Sequence, residues 1–574
     1  MGMAVSPPLL EAVGSCNAFG APGKGTYRWT EVPGSEDIKN IGTRKQLFFD
    51  DQIIETQRWI TPRANKSAAL LVETPAEIEA LYDAEAANGS DVSAGVPGHV
   101  LMGTHHVYRT QHEPVRHPAN PVVTKDRPWE GVSEEYVRIH RPAVLYDEEA
   151  GIWKMWYSSG GALIGRGVKT RPALADVGIT TLYATSRDGV NWEKPELGIV
   201  PFEGSTKNNL LYMPGGRHPH THWLYPLVIK DPHDAKPGTW RYKTMFKTKP
   251  EQSVAVSQDG LHWETVGKFR RLGDEWMNIL YDRQNSVYVM FTRNLYRRPS
   301  YDGQVPSRRS VFGQLRTHRT LQVAFSKDML HWSHPQLILA PDRDDSLDTE
   351  FEYISPFCYE GMYLAVLGIN RRTGPYVDAS HSQLVFSHNG LNWQRMSERK
   401  DFMDPGPPGS WDDINTQAFN FVVRDDKIHV YYCAHGNQDP LLPQQIGLAT
   451  LRLDGFVSLD APDPVLNTRV GMTGSANPNG PPPEAMLLTK PLWSTGNRLV
   501  ANVDSRDYVT AELLDPDGRV YPGFGHEECD VFRGDSLRHT FSWRGRQDIG
   551  GLFPLRIRFR MLDTSLYALQ VVRV

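Results

Sequence analysis

Short runs of apolar, β-branched and aromatic residues recur along the 574-residue chain, separated by polar and glycine-bearing breaks. Examples are Ile152-Trp-Lys-Met-Trp-Tyr157, Trp240-Arg-Tyr-Lys-Thr-Met-Phe246, Val287-Tyr-Val-Met-Phe291 and Met362-Tyr-Leu-Ala-Val-Leu367. Runs this short, bounded by turn residues, predict strands rather than helices. Four of the later runs end in one pattern, Ser-x-Asp/Asn-x-x-x-Trp. The copies are Ser186-Arg-Asp188-Gly-Val-Asn-Trp192, Ser257-Gln-Asp259-Gly-Leu-His-Trp263, Ser326-Lys-Asp328-Met-Leu-His-Trp332 and Ser387-His-Asn389-Gly-Leu-Asn-Trp393. Their tryptophans stand 71, 69 and 61 residues apart, the signature of a repeated supersecondary unit. A period of that length reads as a β-propeller blade. A fifth unit follows in Phe419-Asn-Phe-Val-Val423, Ile428-His-Val-Tyr-Tyr432 and the run from Ile446 to Phe456, with Phe456 in the place of the Trp. The expected fold is all-β, a five-bladed β-propeller.

The repeated pattern has a local cause. Its Asp or Asn, followed by Gly in three copies, closes a β-turn, and its Trp returns to pack between neighbouring sheets. It is architecture and carries no chemistry.

The blades occupy residues 126–465. Before them, residues 1–125 read as an irregular region packing on the propeller, with a strand over 46–54, a short helix over 76–87 and a His-bearing strand near 100–109. Gly474-Ser-Ala-Asn-Pro-Asn-Gly-Pro-Pro-Pro483 is punctuation of the linker type. Beyond it, residues 485–574 alternate apolar and polar positions, as in Arg498-Leu-Val-Ala-Asn-Val503 and Leu555-Arg-Ile-Arg-Phe-Arg560, with turns such as Asp515-Pro-Asp-Gly518. A C-terminal β-sandwich is expected there.

Charge and cysteine content narrow the function classes. With 62 basic and 67 acidic residues the net charge is −5, which gives no reason to expect nucleic acid or an anionic membrane as partner. No stretch of about 18 apolar residues occurs, and the N-terminus lacks the basic and apolar regions of a secretory signal. The reading is a cytoplasmic protein, with homo-oligomerisation left open. Cys16, Cys358, Cys433 and Cys529 are isolated, so neither a disulfide framework nor a thiolate metal site is expected.

The Ser-Lys-Asp-x-x-x-Trp repeats, the Tyr-Asp-x-x-x-x-x-Tyr hairpins (as in Tyr281, Asp282 and Tyr288) and the appended C-terminal sandwich resemble the five-bladed propeller glycosidases, the group containing glycoside hydrolase families 32, 43 and 68. The chain also resembles uncharacterised bacterial proteins of that superfamily that carry Leu-Phe-x-Asp-Asp near their start. It departs from both main patterns. The Trp-Met-Asn-Asp-Pro-Asn-Gly and Arg-Asp-Pro motifs of family 32 do not occur. Where family 43 places Asp-Pro at the entrance to its first inner strand, this chain reads His140-Arg141-Pro142.

The resemblance implies glycoside hydrolysis, which needs a proton donor and a second carboxylate across the scissile bond. Those groups belong at the entrances to the inner strands, where the blades converge on a funnel. Carboxylates stand before four of the five: Glu134 and Glu135, Asp274 and Glu275, Asp348, Glu350 and Glu352, and Asp412 and Asp413. Glu352-Tyr-Ile-Ser-Pro356 resembles the strand entrance that bears the acid in families 32 and 43, so Glu352 is the expected general acid. Asp274 or Glu275 is the partner that orients the sugar or holds the acid protonated, and Asp413 or Glu135 the base or nucleophile. Arg138, His140, Arg141, His220, His222, Trp276, Glu350 and Trp411 are the expected sugar-binding residues. The histidine cluster at 218, 220 and 222 lacks a fixed third ligand, so neither metal nor cofactor is expected. The basic insert over 297–319, which includes Arg319, reads as a solvated loop or a contact for an anionic sugar. A glycosidase acting on a small glycoside, a phosphorylase or lyase on the same scaffold, and a non-catalytic carbohydrate-binding propeller all fit this sequence.

Overall fold

The computed structural model describes residues 38–54, 107–130, 138–160, 179–212, 228–231, 240–248, 251–273, 277–297, 317–346, 349–371, 380–396, 399–436, 445–461 and 485–574. They divide into two compact units, one running from Glu113 to Leu451 and the other combining residues up to His112 with Arg452–Val574. The helix expected over 76–87 and the linker at 474–483 lie outside the described residues. Among the described residues no helix is long and apolar enough to cross a membrane.

The first unit is the five-bladed propeller, each blade an antiparallel sheet. Blade 1 is Arg138–Asp147, Ile152–Gly160 and Ile179–Ser186, with Trp192–Glu193 and Leu210–Leu211 on its outer edge. Blade 2 is Ile229–Lys230, Tyr242–Thr248, Glu251–Ser257 and Glu264–Arg270; blade 3 is Met277–Asp282, Val287–Arg297, Thr317–Ser326 and Gln336–Leu339. Blade 4 is Thr349–Tyr359, Met362–Arg371, Ser380–Ser387 and Trp393–Arg395. Blade 5 takes three strands from the end of the run, Asn415–Arg424, Lys427–His435 and Gln445–Arg452, and its fourth from far upstream, Val115–Arg116. The chain after Arg452 does not complete this blade. Val457–Asp460 pairs with Tyr108–Gln111 and Arg556–Val572 in the second unit, so Phe456 does not fill the interblade place of the tryptophans.

The four tryptophan repeats share one bonding scheme. In the first, Ser186 Oγ accepts from the Gly189 amide at 2.9 Å, Asp188 Oδ1 accepts from the amides of Val190 and Asn191 at 2.9 and 2.8 Å, and Trp192 Nε1 donates to the Gly189 carbonyl at 3.1 Å. The residue after the Asp or Asn takes a positive φ, which favours glycine in three copies and is adopted by Met329 at +66° in the other. At Gly260 φ is +81°, and a Cβ would stand 2.5 Å from Trp156 of blade 1. Each tryptophan then packs on the preceding blade: Trp332 lies 5.7 Å from Phe269, and Trp393 lies 5.6 Å from Phe291.

The hairpin between first and second strands holds a second seam. Asp147 of blade 1 accepts from Tyr242 of blade 2 at 2.7 Å, Asp231 of blade 2 from Tyr288 of blade 3, and Asp282 of blade 3 from Tyr363 of blade 4. Burial acts to raise the Asp147 pKa, but hydrogen bonds from Lys154, Lys230 and Tyr242 outweigh it and hold the carboxyl well below its ordinary range. Burial, aided by the bond to Asp231, pushes Tyr288 up to about 12.

In the second unit, where the sequence predicts a β-sandwich, the described strands form a seven-stranded sheet and a separate parallel pair, Lys39–Asn40 with Leu492–Trp493. Arg556–Val572 pairs along its length with Arg498–Leu514, and its other edge meets Ala485–Leu488, Val457–Asp460 and Gln46–Leu47 in turn. Register shifts at Asn502/Val503 and Ser505/Tyr508 interrupt the long pair, and bulges of this kind bend a strand. The strand predicted over 46–54 is only two residues long. Phe48, Phe49, Ile53 and Ile54 are all buried, and adjacent residues of a regular strand cannot both face one core.

Cys358, Cys433 and Cys529 are free thiols. In the same sheet His539 stacks on Phe532 at 3.9 Å, and burial lowers its pKa to about 4. Above pH ~6.5 the imidazole is neutral in both folded and unfolded chains; as pH falls towards 4, only the unfolded chain takes up the proton, so stability is lost on acidification. For this partly exposed ring a loss of about 1 kcal/mol is expected between pH 7.5 and 5. Denaturant midpoints at the two pH values will show it, and His539→Leu should flatten the difference.

Candidate functional site

The first strands of successive blades adjoin: 138–147 lies beside 415–424, which lies beside 349–359, which lies beside 277–282, which lies beside 229–230. One end of the propeller, where these strands begin, concentrates buried polar side chains. Ser158 and Ser159 stand there in blade 1, Gln252 and Ser253 in blade 2, Thr292 and Arg293 in blade 3, Glu350 and Asn370 in blade 4, and Asn415 and Thr416 in blade 5. Thr181 Oγ1, Gln252 Oε1, Thr320 Oγ1 and Asn415 Oδ1 are buried at this end without a hydrogen-bond partner among the described residues. Unsatisfied buried acceptors are rare in folded proteins, and several at one end mark a place built for polar contacts. At the opposite end the buried aspartates are taken up by the seams between blades and the buried serines by their own tryptophan turns.

Three of the inner strands are bulged near their starts. The register shifts between His140 and Ala143 in blade 1, between Phe351 and Tyr353 in blade 4, and between Gln417 and Asn420 in blade 5. A bulge leaves a residue out of the ladder and re-aims its side chain. In blade 4 that residue is Glu352. The opposing strand accommodates it with Gly368, whose missing Cβ would stand 2.1 Å from the ring of the fully buried Tyr353. In blade 1 the bulge contains Arg141 and Pro142, and a proline, lacking the amide proton, fits a position with no ladder bond to make.

Glu352 is the centre of a charged cluster. Its Oε1 accepts from Arg293 Nη1 at 2.5 Å, its Oε2 accepts from Arg319 Nη1, and Asn370 Nδ2 approaches Oε2 at 3.3 Å. Arg319 Nε stands 3.5 Å from Glu350 Oε2, so one guanidinium spans two carboxylates. Arg293 and Arg319 come from the second and third strands of blade 3, the carboxylates from the first strand of blade 4. The side chains of Arg293 and Glu350 are only 3% and 5% exposed, so their charges interact through little water. Two cations and two anions balance locally, and the forked donors fix the direction of the Glu352 oxygens.

Trp411, Asp412 and Asp413 stand at the entrance to the first strand of blade 5. Asp413 Oδ2 accepts from the Gly409 amide at 2.6 Å and braces the loop entering blade 5. Its neighbour Asp412 is buried, taking hydrogen bonds from Arg116 at 2.8 Å, Ser410 at 2.8 Å and Tyr432 at 3.2 Å. Trp411 packs on Tyr432, with ring centroids 5.7 Å apart. Arg138, His140 and Arg141 lie in the first strand of blade 1, on the rim shared with Glu350 and Glu352. Asp274, Glu275, Trp276, Glu135, His220 and His222 lie outside the described residues. Among the described residues no cluster of His, Cys, Asp and Glu has the make-up of a metal site.

Arg293 and Asn370 are the partners that the sequence did not single out. The available signal was a charge in the apolar run Val287-Tyr-Val-Met-Phe-Thr-Arg293, since a cation within a central strand demands an anion facing it.

No protein-family model matches the chain, and no curated protein matches it. Among solved structures it is similar to a glycosyl hydrolase from Bacteroides ovatus, at 14% identity over 60% of this chain and 94% of that one, with a TM-score of 0.39. It is similar to a thermostable family 43 glycoside hydrolase, at 15% identity over 57% and 94% of the two chains and a TM-score of 0.36. A third is described under family 130 of the mannoside phosphorylases, with glycoside hydrolases that target β-1,2-mannosidic linkages in Candida mannan, at 15% identity over 60% and 94% and a TM-score of 0.39. The chain's own strand pairing gives the five propeller blades, one of five strands and four of four.

Proposed function

We propose that the chain is a glycoside hydrolase that cleaves a small glycoside or oligosaccharide, furanosides included, at the end of the propeller where the inner strands begin. The observation that carries this reading is the cluster of Glu350 and Glu352 with Arg293 and Arg319, set in a rim of buried polar groups. Glu352 is the proton donor to the leaving group. Both of its oxygens accept from guanidinium groups in the unliganded protein, so donation requires the substrate to displace one of them and leave an oxygen to carry the proton. Asp413 or Glu135 is the base or nucleophile, and Asp274 or Glu275 orients the sugar. Arg138, His140, Arg141, His220, His222, Trp276, Glu350 and Trp411 supply the contacts to the ring.

The paired guanidiniums also favour a second reading, phosphorolysis, because the same fork fits a phosphate. A panel of aryl furanosides and pyranosides, each assayed with and without inorganic phosphate, separates the two. Turnover independent of phosphate is expected for at least one substrate. A strict phosphate requirement assigns the phosphorylase reaction, and inert glycosides throughout the panel would reject both.

A further inference from the structure

We infer that blade 4 carries a second ligand site, apart from the Glu350–Glu352 cluster, that takes a single neutral sugar ring. A cavity of about 270 Å³ opens among its strands. One wall is the Asp344–Asp345 turn before the first strand, the other His381 and Gln383 of the third strand with Arg395, Arg399 and Asp401. The site faces away from the funnel cluster. Arg395 lies 5.3 Å over the ring of Phe351, and Phe351 and Glu350, as strand neighbours, point to opposite faces.

The walls are held in place before any ligand arrives. Arg395 reaches Asp345 at 2.6 Å and grips Gln383 Oε1 with two donors at 3.0 and 2.7 Å, while Arg399 reaches the other oxygen of Asp345 at 3.2 Å. His381 Nδ1 lies 2.8 Å from Asp401 Oδ2, a contact that fixes the orientation of the ring. Side chains fixed this way lose little freedom on binding.

The lining selects the ligand class. Three lining carboxylates, Asp344, Asp345 and Asp401, stand against the guanidiniums of Arg395 and Arg399, the latter also gripped by Asp342 at 2.9 and 2.6 Å, so an anion meets acid groups and a cation meets arginines. A polyol has hydroxyls that donate to the carboxylates and accept from the guanidinium N–H groups. The volume falls just below the roughly 300–1,000 Å³ of sites for drug-sized ligands, which suits one ring.

The test is calorimetric titration of the full chain at neutral pH with D-glucose, D-galactose, D-mannose and L-arabinose, and separately with inorganic phosphate and calcium chloride. At least one sugar should saturate. His381 is 42% exposed on its side chain, so His381→Ala should fold, and Asp401→Asn keeps the shape while removing the charge. Both should weaken sugar binding at least tenfold, and Glu352→Gln should leave it unchanged, whatever the funnel catalyses. The inference is overturned if no sugar saturates, if only phosphate or calcium does, or if Glu352→Gln abolishes binding that His381→Ala leaves intact.

Discussion

Glu352→Gln is expected to lower turnover of a glycoside with a poor leaving group by about 10² to 10⁴-fold, the usual contribution of a positioned general acid. An aryl glycoside needs little protonation of its leaving group and should lose far less. Substrate binding should survive, because the amide keeps the shape of the acid. The amide also turns one N–H₂ towards a guanidinium, leaving Arg293 or Arg319 without one of its acceptors. A stability loss of about 1–3 kcal/mol is expected from that mismatch, visible in the denaturant midpoint. Near wild-type rates on both substrate types would make Glu352 structural and move the search for the acid to Asp274, Glu275, Glu135 and Asp413.

Gly368→Ala should destabilise the propeller by about 3 kcal/mol and also reduce activity. The new methyl group meets the Tyr353 ring at 2.1 to 2.4 Å, and that ring is fully buried, so strand or ring must move. Movement occurs beside the bulge that aims Glu352 at its two arginines. Gly204→Ala is the comparison: a Cβ there meets nothing within 4 Å, so only the backbone strain of its φ of +82°, about 1 kcal/mol, is expected. If Gly368→Ala unfolds at the same denaturant concentration as that variant and retains full turnover, the bulge is more compliant than this packing allows.

The propeller was legible because its repeated unit is local. Seven residues from Ser to Trp specify a turn whose Ser, Asp and Trp side chains bond within the turn itself, and each copy announces itself without reference to the rest of the chain. Blade closure was not legible. Val115–Arg116 is too short to show any alternation, and its partner strand lies at Gln445–Arg452. The site was half legible. Carboxylates at strand entrances follow from the architecture, but Asp412 and Asp413 look alike in sequence, and only the fold shows Asp412 buried under Arg116. Arg319 reads as part of a basic loop until the third strand of blade 3 brings it beside Glu350 and Glu352. Pairings of this kind depend on contacts between blades, which no local pattern encodes.

The origin of the last strand of blade 5 bears on how the chain comes off the ribosome. Val115 and Arg116 are made early, yet their partners Thr450 and Ala449 emerge more than three hundred residues later. Until then blades 1 to 4 can form only an open arc, with the Val115–Arg116 segment unpaired and Arg116 still waiting for Asp412. Closure of the ring is therefore the last step in building the propeller, ahead only of the second unit, whose strands run on to Val572. A nascent chain stalled before residue 445 exposes two raw sheet edges, the circumstance in which chains pair with the wrong neighbour.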